Sequence, residues 1–230
     1  LKPDYAEAHA SLGMTQQILG QLGVAEASYR EAIRLNYQAP LVYFNLGIVL
    51  QEQQRLLDAE ECYRQAVKIQ PDFAMAYANL GYVLRMQHKL EEAASCYRQA
   101  LQMEPENAEI HHNLGSTLHE LGQLDEAAAS YNRALQYKPE YPAAHLALAT
   151  VFRTHGNFPE ADMHYREAIR LSPEWAEAYY GRATNLALQG KQDEALAIYE
   201  KALQLKPDYV EAFLCIAAAL IPLDRADEHV

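Results

Sequence analysis

Asn45, Asn79 and Asn113 stand 34 residues apart, in the strings FNLG, ANLG and HNLG. An amide side chain carries an acceptor and two donors, so it can pair with a peptide group through both. Three such amides at equal intervals predict a ladder that grips the backbone of an extended ligand, largely whatever its sequence. Bond-making chemistry has no comparable pattern. Of the nine histidines, His112 and His119 lie two turns apart on one helix face with Glu120 beside them, too far for the one-turn pairs of metal helices. His9, His111 and His145 replace an aromatic residue of the neighbouring units and read as core or half-core. Glu91–Glu92 and Asp125–Glu126 open helices, where negative charge suits the macrodipole. No glycine-rich phosphate loop and no nucleophile–base arrangement stands out. The expectation is no catalysis by this chain, no metal and no cofactor.

The elements that position the ladder follow from an internal period, the first thing to look for in any sequence. Six units align without a gap at residues 6–39, 40–73, 74–107, 108–141, 142–175 and 176–209. The twentieth position is Ala25, Ala59, Ala93, Ala127, Ala161 and Ala195, and the twenty-seventh is Ala32, Ala66, Ala100, Ala134, Ala168 and Ala202. Between them runs a tyrosine: Tyr29, Tyr63, Tyr97, Tyr131, Tyr165 and Tyr199. The first half of each unit has apolar residues at positions 4, 7, 8 and 11, as in Tyr77, Leu80, Gly81 and Leu84, which fall on one helix face at 100° per residue. Gly13, Gly47, Gly81 and Gly115 let the second helix come close, and Ala149 and Ala183 are small replacements. Gly20, Gly122, Gly156 and Gly190 fall between the two helices, where a left-handed residue is often needed. Gln54 and His88 replace that glycine, which predicts strained or differently built turns. Pro71, Pro105, Pro139, Pro173 and Pro207 stop the second helices. The first unit has Tyr37 there and Pro40 later, so its junction is expected to differ. Pro159 sits where a helix begins, a position that tolerates it.

These residues make the chain resemble the tetratricopeptide repeat family, whose unit is a helix–turn–helix of about 34 residues. The resemblance implies an all-α, right-handed superhelical solenoid: six full repeats, then the first helix of a seventh within 210–230. Residues 1–5, LKPDY, match residues 205–209 and read as the remnant of a preceding repeat. Val210 onward is expected to use Phe213, Ile216, Ala217 and Leu220 as core, leave Leu214, Cys215 and Ile221 off that face, and stop at Pro222. Apolar residues at both ends predict a slice of a longer protein, or end-to-end self-association.

In stacked repeats of this kind the face opposite the core, near positions 2, 6, 9 and 13, lines the concave groove. It would present Asn45, Asn79 and Asn113 with Phe44, Ile48, Tyr82, Met86, His112, Ser116, Leu146 and Thr150, and Arg85 and Arg153 as the positive charges. Helices pack about 8–10 Å apart and an extended chain rises about 3.3 Å per residue, so the ladder would meet a bound backbone at about every third residue. The implied function is a non-catalytic scaffold for a protein or peptide segment. The ladder also resembles the repeat region of O-linked N-acetylglucosamine transferases, which implies as an alternative the substrate-recruiting part of a larger glycosyltransferase. A carboxylate clamp of the chaperone-adaptor type needs Lys/Asn pairs at positions 5 and 9, where this chain has Phe44 with Ile48 and Ala78 with Tyr82.

Charge and cysteines bound the rest. A formal net charge of −12 argues against nucleic acid, whose binding draws on Lys and Arg against phosphate, and suits neutral or basic partners. No run approaches the ~20 apolar residues of a membrane span. Three cysteines make no disulfide framework, which points to the cytoplasm or another reducing compartment.

Overall fold

Turn chemistry cuts the chain into short helices of similar length. The computed structural model describes residues 3–220, and there it is all-helical. One unit, Leu1–Gln123, contains α1 (Pro3–Ile18), α2 (Leu22–Arg34), α3 (Pro40–Glu52), α4 (Leu56–Ile69), α5 (Ala74–Met86), α6 (Leu90–Met103) and α7 (Ala108–Glu120). The other, Leu124–Val230, contains α8 (Leu124–Tyr137), α9 (Pro142–Thr154), α10 (Phe158–Leu171), α11 (Ala176–Leu188), α12 (Gln192–Leu205) and α13 (Val210–Leu220). The thirteen helices and absence of strands among the described residues give an all-α solenoid of helix pairs. The readings of Ile221 and Pro222 lie outside the described residues, as do those of residues 1 and 2. Helix α1 starts at Pro3, ahead of the expected boundary, because a proline at the first helical position loses no hydrogen bond.

Gly20, Gly122, Gly156 and Gly190 all have positive φ. Gln54 and His88 adopt the same left-handed conformation, with φ of 62° and 58°. A side-chain-bearing residue there costs about 1–2 kcal/mol, part of which a glycine returns as unfolded-chain entropy. Gln54→Gly is therefore expected to raise stability by about 0.5–1 kcal/mol, read as a higher urea midpoint; a lower midpoint would refute the strain. The first junction does differ: α2 ends through Asn36 at φ 69°, with Tyr37 N–H donating to Ala32 O at 3.0 Å. Helix α4, by contrast, runs into an extended residue, Gln70, just before Pro71.

Within each unit a first helix packs on the second helix of its own pair and on that of the preceding pair, as α5 packs on α6 and on α4. This double contact corrects the expected core face. Positions 3 and 10 are buried along with 7, 8 and 11 (Ala76 and Val83 beside Leu80, Gly81 and Leu84), whereas Tyr77 at position 4 is only half-buried. Position 4 instead reaches the junction: His111 Nε2, His145 Nε2 and Tyr179 Oη bond the carbonyls of Pro105, Pro139 and Pro173 at 2.8, 3.0 and 3.1 Å. By the same geometry Phe213 in α13 is exposed rather than core, and Ala212 takes the buried place. Leu214 is exposed as expected, while Cys215 and Ile216 are half-buried.

The alanine–tyrosine–alanine set fills the space between paired helices. Tyr29, Tyr63, Tyr97 and Tyr165 are fully buried, as are their flanking alanines. A Cβ built on Gly13 or Gly47 would stand 2.8 or 2.6 Å from the ring of Tyr29 or Tyr63, so those glycines exist for the ring. Charge ties successive pairs together. Glu26 meets Arg55 at 2.6 Å, and Glu60 accepts from Lys89 (2.8 Å), Gln87 (2.9 Å) and Arg64 (2.9 Å). Burial pushes the Glu60 carboxyl up, but those three donors outweigh it and hold it below the usual carboxylate value.

Candidate functional site

The ladder asparagines sit at the middle of first helices, one turn after the junction, and all three are half-buried. Asn79 does two jobs at once. Its Nδ2 donates to the Tyr63 hydroxyl at 3.5 Å, from one helix pair to the tyrosine of the pair before. One N–H is thus committed, leaving the amide's other donor and its acceptor for a ligand. Tyr29 and Tyr63 in turn donate to Gln17 Oε1 (2.9 Å) and Gln51 Oε1 (3.0 Å) on their own first helices.

At the third pair the pattern changes. Arg85 occupies the place of Gln17 and Gln51. The buried Tyr97 hydroxyl has no protein partner, and neither does the buried Arg85 Nε. Arg85 Nη1 is held by Glu120 Oε1 at 2.9 Å. Beside Asn113, burial pushes the His112 imidazole down in pKa.

One pocket of about 400 Å³ gathers part of the predicted set. Its walls are Phe44 and Gln51 from α3, Met75, Ala78, Asn79 and Tyr82 from α5, Glu104 and Asn107 from the junction, and Glu109, Ile110 and Asn113 from α7. Asn79, Asn113, Tyr82 and Phe44 are therefore brought together. Phe44 contributes only an edge, since it is 7% exposed and packs against Phe73 and Tyr63 with ring centroids 4.8 and 5.8 Å apart. Asn45, Ile48, Arg85, His112 and Ser116 are half-buried on the same set of first helices but are not walls of this pocket. Ser116 Oγ donates to the His112 carbonyl at 3.1 Å. Thr150 and Arg153 belong to the second unit, where both contact the Tyr165 hydroxyl, at 3.4 and 3.1 Å. There position 6 has shrunk to Ala147 and Gly181, and a Cβ on Gly181 would lie 2.5 Å from the Tyr165 ring.

Sequence reasoning missed Met75, Gln51, Glu104, Asn107 and Glu109. Met75 and Glu109 stand at position 2, which the helical wheel places on this face, and Met75 is 54% exposed. Glu104 and Asn107 lie in the junction, and there the signal was local: Asn107 precedes α7 as its N-cap, accepting from Glu109 N–H (3.1 Å) and Ile110 N–H (3.2 Å). Its Nδ2 donates to Glu104 Oε2 at 2.8 Å.

Other reactive groups are elsewhere and quiet. Burial pushes the Cys62 and Cys96 thiols up to about 11, and the three cysteines are unpaired. His145 and His164 meet through their Nδ1 atoms at 2.9 Å, and burial with the neighbouring imidazole brings His164 down to about 4. Among the described residues no three His, Cys, Asp or Glu side chains converge to hold a metal ion, and no helix is long and apolar enough to cross a membrane.

Comparisons with known proteins agree on the architecture. No curated protein matches the sequence. The solved structure of YrrB, described as a TPR protein with an unusual peptide-binding site, is 24% identical, with 81% of this chain and 96% of that one covered at a TM-score of 0.69. PilF of Pseudomonas aeruginosa is 20% identical over 94% of this chain and 98% of its own, with a TM-score of 0.78. MamA from Desulfovibrio magneticus RS-1 is 19% identical over 74% and 96%, with a TM-score of 0.70. These likenesses show a common fold. Models of the tetratricopeptide repeat match residues 6–38, 38–106, 78–145 and 146–210, nearly the whole length, and the chain belongs to the tetratricopeptide repeat family.

Proposed function

We propose that this chain is a non-catalytic scaffold that binds an extended peptide segment of a partner protein along its first helices, with the 400 Å³ pocket around Asn79 and Asn113 as the principal contact. The observation that carries this reading is the half-engaged amide: Asn79 is fixed in place by Tyr63 yet keeps a donor and an acceptor at a pocket wall. Tyr82, Met75 and the edge of Phe44 supply apolar surface beside it, the mixture that peptide sites use. That YrrB is described as having a peptide-binding site lends support from the same fold. The glycosyltransferase-recruiting alternative rests on the spacing of the ladder alone, and it would use the same groove.

The test is a peptide-array screen of the wild type beside Asn79→Ala/Asn113→Ala, with Tyr63→Phe as a control that removes the tyrosine bond and leaves the pocket walls in place. Each lost hydrogen bond is worth about 0.5–1.5 kcal/mol, so the double variant is expected to bind about tenfold more weakly while its circular dichroism remains helical. Equal binding by the wild type and double variant would refute the pocket as the contact, and an equal loss in Tyr63→Phe would assign the effect to structure.

A further inference from the structure

We infer that the peptide this pocket takes is basic, placing a Lys or Arg side chain against Glu104 and Glu109; this deepens the peptide-binding reading and rests on it. The charged walls of the pocket are these two acids, and its other walls are amides or apolar groups. Glu104 is not a loose surface carboxylate. Asn107 donates to its Oε2 at 2.8 Å, and Asn107 is itself fixed as the cap of α7 through two backbone N–H groups. The carboxylate is thus held at the pocket's edge before any ligand arrives, which lowers the ordering cost of binding.

The surroundings have the same sign. Glu52, the residue after the pocket wall Gln51, ends α3. Arg85, the cation offered on this face, is ion-paired to Glu120 at 2.9 Å and is not a wall. A Lys or Arg side chain supplies donors only, matching the carboxylates of Glu104 and Glu109, and its aliphatic stem can lie on Met75 and Tyr82 while its head stays wet. An acidic segment would bring like charge to the same place. The chain's net charge of −12 favours the same partner at longer range.

The experiment uses the whole chain and pools of short, end-capped peptides that differ at one fixed central position: Lys, Arg, Ala or Glu. Binding is read by fluorescence polarisation at low and at physiological salt. An ion contact at a partly exposed site is worth up to about 1 kcal/mol, so the Lys and Arg pools are expected to bind about fivefold tighter than the Ala pool. That margin should shrink with salt and vanish in Glu104→Gln/Glu109→Gln, whose folding is checked by thermal melt. If the double variant folds poorly, Glu104→Gln alone and the salt dependence of the wild type serve instead. Ala or Glu pools binding as tightly as the basic pools would overturn the inference, and loss of their binding in Asn79→Ala/Asn113→Ala would show the groove reading intact. A basic preference that survives in the Gln variant would also overturn it, since the contact would lie elsewhere. No binding by any pool would overturn both readings.

Discussion

Replacing Tyr63 with alanine is expected to destabilise the first unit by about 3–5 kcal/mol, the range for removing a buried aromatic side chain. Tyr63 is fully buried. Its ring fills the space above Gly47, packs on Phe44 at a centroid distance of 5.8 Å, and its hydroxyl joins Gln51 to Asn79 across two helix pairs. The cavity would open where α3, α4 and α5 meet, and main-chain collapse is opposed because α3 also packs on α2 and α5 on α6. Tyr63→Phe separates the two contributions: it keeps the ring and loses the hydroxyl's bonds, for about 1 kcal/mol. Urea titration followed by circular dichroism measures both. A cost for the alanine variant no larger than that for phenylalanine would mean that the ring is not the keystone of the packing.

The second large effect comes from the opposite change. Gly47→Ala would ordinarily gain about 1 kcal/mol in a helix. Here the new methyl group would stand 2.6 Å from Tyr63 Cε1, with further ring atoms at 2.9 and 3.0 Å. The ring has nowhere to go, held by Phe44 on one side and by its own hydrogen bonds at the tip. Overpacking of this kind costs about 1–3 kcal/mol, so the variant is expected to melt lower despite its better propensity. A higher melting temperature would show that the ring can slide. The paired outcome, too little at Tyr63 and too much at Gly47, is what a close-packed interface requires.

The periodic features were legible in the sequence because each reports a purely local constraint. Invariant Ala25 to Ala202 and Tyr29 to Tyr199 mark the contact between paired helices, and the left-handed Gly20, Gly122, Gly156 and Gly190 mark the turns. Gln54 and His88 could even be singled out as strained, because any residue in that slot must take positive φ. What was not legible depends on three bodies at once. A helical wheel gives one buried face, but α5 is gripped by both α4 and α6, so Ala76 and Val83 are core and Tyr77 and Phe213 are not. The Glu26–Arg55 and Glu60–Lys89 ties likewise join residues 29 apart whose relation appears only once one pair is laid on the next.

Of the candidate site, the asparagine ladder was visible as a pattern but its attachment to tyrosine was not. Asn79 bonds the Tyr63 hydroxyl of the preceding helix pair and also stands in the wall of the pocket. Glu104 and Asn107 escaped because they lie at a junction, where no period predicts which way a side chain leans.

The reach of these contacts along the chain carries a kinetic consequence. Asn79 to Tyr63 spans 16 residues, Glu60 to Lys89 spans 29, and Arg85 to Glu120 spans 35. Every tie described above is made by segments that leave the ribosome within about one repeat of each other. Low contact order of this kind goes with rapid folding, and nearest-neighbour coupling lets order start at any pair and spread along the array. A nascent chain can therefore close its first tyrosine joints while its later helices are still being synthesised.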